Sequence, residues 1–131
     1  MQYDTFIGEV QTRARLSTPA EAERAAEATL KTLAERLAGG ESHHLVDQLP
    51  EELARRIGEE ANGNVETFGL KEFFQRVARK EGVEPSEAAF HARAVMDVWC
   101  EAVTAGQVED VRSQLPEEFA PLLALGKGEL R

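Results

Sequence analysis

The sequence predicts an all-α protein made of two similar, tandem helical units, about four helices each, packed with approximate twofold symmetry around a shared core. Three observations carry this. Pro19 through Ala54, slid forward sixty-six positions without a gap, falls on Pro85 through Ala120, with about a third of positions identical, so one supersecondary unit is copied in tandem. The less polar residues return every three or four positions almost throughout. No segment of useful length has a strand period, apart from a brief Val65-Glu66-Thr67-Phe68 that suits extended chain.

Taken in order, the first helix of each unit carries aromatic and aliphatic side chains at helical spacing. These are Tyr3, Phe6, Ile7 and Val10 in one copy and Leu70, Phe73, Phe74 and Val77 in the other, which align once one residue is dropped between Leu16 and Pro19. A long amphipathic helix follows, marked by Ala22, Ala26, Leu30, Leu33 and Leu37, and again by Ala88, Ala92, Val95, Trp99 and Val103. Pro19 and Pro85 open these helices, and Thr18-Pro19-Ala20-Glu21 reads as a capping box; Glu84 is the weaker cap of the second copy. Gly39-Gly40 and Gly106 are expected to end the long helices, because glycine adopts the left-handed cap conformation at little cost. Short helical segments are expected over 41–48 and 107–114. Pro50 and Pro116 then open a last helix, with Leu49, Leu53 and Ile57, or Leu115, Phe119, Leu122 and Leu123, as its buried stripe. The units run over 1–57 and 68–125. The segment 58–67, with Gly58, Asn62, Gly63 and Asn64, connects them within a single domain.

Length and charge bound the function. A chain of 131 residues is of single-domain size and buries roughly two-thirds of its unfolded surface. A net charge of −9 repels phosphate backbones and anionic membranes, so neither nucleic acid nor a membrane surface is expected as a partner. No apolar run approaches the roughly 20 residues of a bilayer span, and Met1-Gln2-Tyr3-Asp4-Thr5 lacks the basic and apolar regions of a secretory signal. A lone cysteine, Cys100, forms no internal disulfide, and a cytoplasmic location is expected.

The strings Gly40-Glu41-Ser42-His43-His44-Leu45-Val46-Asp47-Gln48-Leu49-Pro50-Glu51-Glu52-Leu53 and Gly106-Gln107-Val108-Glu109-Asp110-Val111-Arg112-Ser113-Gln114-Leu115-Pro116-Glu117-Glu118-Phe119 share their Gln-Leu-Pro-Glu-Glu core. With Tyr3-Asp4-Thr5-Phe6 and Phe73-Phe74-Gln75-Arg76-Val77-Ala78, they resemble the bacterial domain of unknown function 2267 family over nearly the whole chain. The resemblance implies a small, all-helical, bacterial cytoplasmic protein and brings no established catalytic residues. In that family an acid commonly stands where His44 does, which makes a metal role for His44 particular to this chain.

The candidate chemistry is sparse. Glu41, His44 and Asp47 recur at three-residue spacing, which would place imidazole and carboxylates on one side of a helix. A twofold arrangement would bring His43 and His44 towards Glu109 and Asp110, a possible divalent-metal set; solvated turn residues are the competing and favoured reading. His91, beside Ala88, Ala92 and Val95, reads as a satisfied or half-exposed structural histidine, and Cys100 as a small hydrophobe. Arg13, Arg15, Arg55, Arg56, Arg76, Arg79 and Lys80 read as solvated helix faces balanced by glutamates that include Glu72 and Glu81. The repeated Gln-Leu-Pro-Glu-Glu junction is mainly architectural, and its functional reading makes Gln48, Glu51, Gln114 and Glu117 the rim of a groove between units. No nucleophile, base and oxyanion donor assemble, so no enzyme and no cofactor are expected. The leading expectation is a non-catalytic protein-interaction or regulatory module whose acidic surface favours a basic partner, with a homodimer compatible with a duplicated chain. The alternative is a small-ligand or divalent-metal binding protein with its site at the seam between the repeats.

Overall fold

A computed structural model of the chain describes residues 1–37, 45–57 and 66–123. Among these the protein is all-helical: α1 (Tyr3–Arg13), α2 (Pro19–Arg36), α3 (Glu51–Ile57), α4 (Leu70–Glu81), α5 (Pro85–Ala102), α6 (Ala105–Arg112) and a terminal 3₁₀ helix (Glu117–Leu123). Leu45 and Val46 are also helical, while 66–69 form no strand and are tied to the helices by backbone bonds from Glu66 N–H to the Glu35 carbonyl at 3.1 Å and from Phe73 N–H to the Gly69 carbonyl at 2.9 Å.

The two long helices, each of 18 residues, lie against one another, and α1 and α4 each touch both of them. Their buried faces are rich in alanine, with Ala22, Ala25, Ala26 and Ala28 on α2 and Ala88, Ala92 and Ala94 on α5. Small side chains let the backbones approach, and the larger Phe6, Phe73, Leu30, Leu33, Met96 and Trp99 fill the rest. Trp99 is wholly buried, and its indole N–H donates to the Leu45 carbonyl at 2.8 Å, tying the second copy's long helix to the first copy's third segment.

Helix starts follow the sequence closely. Thr18 Oγ1 accepts from the Glu21 N–H, while Glu21 Oε1 accepts from the Ser17 and Thr18 N–H groups at 2.9 and 3.1 Å. In the second copy the Glu87 carboxylate accepts from the Glu84 N–H at 3.2 Å. Gly69 admits the Glu118 carboxylate, which accepts from the Leu70 N–H at 3.1 Å; a Cβ on Gly69 would meet Glu118 Oε2 at 2.8 Å.

Helix ends depart from expectation. Gly106 does not terminate α5: the helix stops at Ala102, Val103 turns extended, and Thr104 starts α6 by accepting the Gln107 N–H, placing Gly106 inside the first turn of α6. The first copy does the same, with α2 ending at Arg36 and Leu37 extended, ahead of Gly39-Gly40, which lie outside the described residues. In both copies a buried apolar residue, Leu37 or Val103, turns the chain by docking into the core, so no left-handed glycine is needed. The last segment is 3₁₀ rather than α, because Pro121 has no N–H to give to the Glu117 carbonyl; it still buries Phe119, Leu122 and Leu123 as the stripe predicts.

Candidate functional site

Of the sequence-predicted metal set, only Glu109 and Asp110 fall among the described residues. Glu109 and Asp110 are exposed on α6, and Glu109 lies 4.0 Å from Arg112. His43 and His44 lie outside the described residues, and among the described residues no three His, Cys, Asp or Glu side chains gather as a metal set. All four residues of the proposed groove rim, Gln48, Glu51, Gln114 and Glu117, are exposed, and Gln48 Oε1 also accepts from the Thr104 N–H at 2.7 Å at the start of α6.

Two other readings change. Arg76 is no solvated side chain: its guanidinium stacks 4.0 Å from the Phe68 ring centre and pairs with Glu35, Glu66 and Glu72 at 3.2, 3.0 and 2.8 Å. Glu81 does not balance a surface face. It is only 6% exposed, and its Oε2 is hydrogen-bonded to Nδ1 of His91, itself 8% exposed. His91 is satisfied, as expected of it, but by a buried acid from another helix.

Glu81 ends α4 and His91 lies in the second turn of α5, so the turn at Gly82 and Val83 folds one helix back onto the other and brings the two side chains together. Burial pushes the Glu81 carboxyl above its ordinary 4.5, against the opposing pull of His91 and Arg24. Its second oxygen, Oε1, is buried without a hydrogen-bond partner.

This pair borders a cavity of about 250 Å³ lined by Arg15, Leu16, Ser17, Glu21, Arg24, Glu81, Val83, Glu87 and His91. The lining comes from both copies: the α1–α2 turn and first turns of α2 on one side, the end of α4 and first turns of α5 on the other. Leu16 aligns with Val83 and Glu21 with Glu87, so matching residues of the two repeats face the same space. The remaining lining is unlike. Where the first copy brings Arg15 and Arg24, the second has Gly82 and Phe90; where the second brings Glu81 and His91, the first has Ala14 and Ala25. Arg15 holds φ = 57°, the left-handed region that Gly82 occupies at φ = 81° in the aligned position.

Residues 3–122 match the sequence family described as "Uncharacterized conserved protein (DUF2267)". The chain belongs to this family. The matched DUF2267 span contains every residue that lines the cavity. No curated protein matches the chain. No described helix is long and apolar enough to cross a membrane.

The cavity escaped the sequence reading because Glu81 and His91 each have a commonplace interpretation alone. The available signal was the internal alignment: Glu81 and His91 are among the positions where one copy carries a titratable side chain and the other carries alanine.

Proposed function

We propose that this DUF2267 protein is a non-catalytic binding module that receives a small polar ligand in the cavity between its two repeats. The single observation that carries the reading is Glu81 Oε1, a buried, unpartnered carboxylate oxygen at a cavity edge. An unmade hydrogen bond at such a group costs about 1–3 kcal/mol, and a ligand donor placed there would recover it. Among the described residues the only large apolar side chains left exposed are Met1 and Phe90, too few to favour a protein-docking face. We therefore place the small-ligand reading ahead of the interaction-module reading.

The proposal includes the architecture: the two copies form units related by an approximate twofold axis, with the cavity astride it. Support comes from ion pairs that repeat in alignment. Arg13 on α1 pairs with Glu101 on α5 at 2.8 Å, and its counterpart Lys80 on α4 pairs with the aligned Glu35 on α2 at 3.0 Å. Each short helix thus grips the long helix of the other copy.

Backbone amide NMR of the purified chain against a library of small polar metabolites tests the reading. The expected result is a set of shifts confined to Ser17, Gly82, Val83, Glu87 and their neighbours. Shifts only at distant surfaces, or none with any member, would return the protein-partner reading to first place.

A further inference from the structure

Resting on that reading, we infer that the cavity takes a small amphoteric molecule, an α-amino acid being the simplest, with its ammonium group at Glu81 and its acidic group at Arg15 and Arg24. The two walls are chemically opposite. The first copy supplies two guanidinium groups, neither of which makes an ion pair with a described residue. The second supplies the buried carboxylate, with one oxygen held by His91 and the other without a partner. The two further acids in the lining are already engaged, Glu21 by the Ser17 and Thr18 N–H groups and Glu87 by that of Glu84.

Other ligand classes fit less well. An anion alone would enter beside three carboxylates, Glu21, Glu81 and Glu87. A cation alone would leave the arginines unmatched and face their repulsion. A volume of about 250 Å³ is below the roughly 300–1,000 Å³ typical of drug-sized ligands, which suits an amino acid better than a nucleotide.

Arg15 supplies a second, independent observation. An L-residue with a long side chain is strained in the left-handed region, and the aligned position shows that glycine serves the same turn. A guanidinium retained at that cost, on the cavity wall, points to a role in the cavity rather than in the turn.

The test is calorimetric titration and amide NMR of the full chain with the twenty standard amino acids, phosphoethanolamine, methylamine and acetate. At least one amphoteric probe should bind and shift Arg15, Gly82, Val83 and His91, with methylamine and acetate at least about tenfold weaker. Tighter binding of phosphoethanolamine than of every amino acid identifies the acidic group as a phosphate within the same chemistry. Glu81→Gln and Arg15→Gly should each weaken binding at least about tenfold, and Arg15→Gly should do so while the melting temperature holds or rises. Should Glu81→Gln fail to fold, Arg24→Gln at an exposed position joins Arg15→Gly in carrying the test. Methylamine or acetate binding in the cavity as tightly as any amphoteric probe, or amino-acid binding indifferent to these substitutions, overturns the ligand class and leaves the cavity reading standing. No response in the cavity to any probe here or to any metabolite in the wider library overturns both.

Discussion

At aligned positions the first copy buries Ala14 and Ala25 where the second buries Glu81 and His91. The surroundings are alike: both positions lie where a short helix turns back into a long one, each turn has a left-handed residue, and each long helix begins with a proline and a capping glutamate. The fold therefore accommodates buried alanine at both positions in one copy. A buried ionisable pair is weak as a source of stability, since desolvation offsets much of the attraction. What the comparison teaches is that the repeated scaffold does not itself require Glu81 and His91.

The largest expected effect tests whether the pair acts as a unit. Glu81→Ala or His91→Ala alone should each destabilise by about 3–5 kcal/mol, because each strands a buried polar partner. The double substitution, which copies the first repeat's alanines, should cost less than the sum by about 1–3 kcal/mol. Denaturant unfolding gives these values, and simple additivity would break the comparison by showing that the two side chains do not act together.

Next in size is a pH effect. Glu81, facing His91, Arg24 and Glu87, has its carboxyl raised by burial, so above 4.5 the folded chain still holds a proton that the unfolded chain has released. Stability should therefore fall as pH rises from 4.5 through the raised folded value, by up to about 1.4 kcal/mol per unit relative to Glu81→Gln. A stability difference between the two proteins that is flat with pH would contradict the burial assigned to the carboxyl.

The smallest effect concerns the turns. Gly82→Ala should cost about 1–2 kcal/mol by forcing a Cβ into the left-handed region. Arg15→Gly should gain about 1 kcal/mol or less, since relief of strain is partly offset by the added freedom of the unfolded chain. Thermal melts of the two variants sharpen the comparison: opposite signs confirm that the copies share one turn and that only the first strains it.

Most of the scaffold was legible because it rests on local rules. Prolines 19 and 85, the Thr18–Glu21 box and the periodic stripes act within a few residues of themselves, and the helices begin where those signals lie. Helix ends were less legible because Leu37 and Val103 break the helices through contacts with the core, a tertiary effect that overrides the nearby glycines. Pro121 was visible, but its consequence, a 3₁₀ segment in place of an α-helix, depended on how the chain packs around Phe119. The candidate site was nearly illegible. Glu81 and His91 are ten residues apart and Arg15 lies far earlier, so only the fold assembles them. Charge patterning on α4 also misleads, because Arg76, Lys80 and Glu81 look alike in sequence, whereas one stacks on Phe68, one crosses to Glu35 and one is buried.

The indole of Trp99 gives the chain an optical gauge of its own assembly. It is the only tryptophan in the sequence, it belongs to the second copy, and its indole N–H donates to the carbonyl of Leu45 in the first. Burial blue-shifts its emission while the chain is folded, so fluorescence follows unfolding directly, without a label and without interference from another chromophore of its kind.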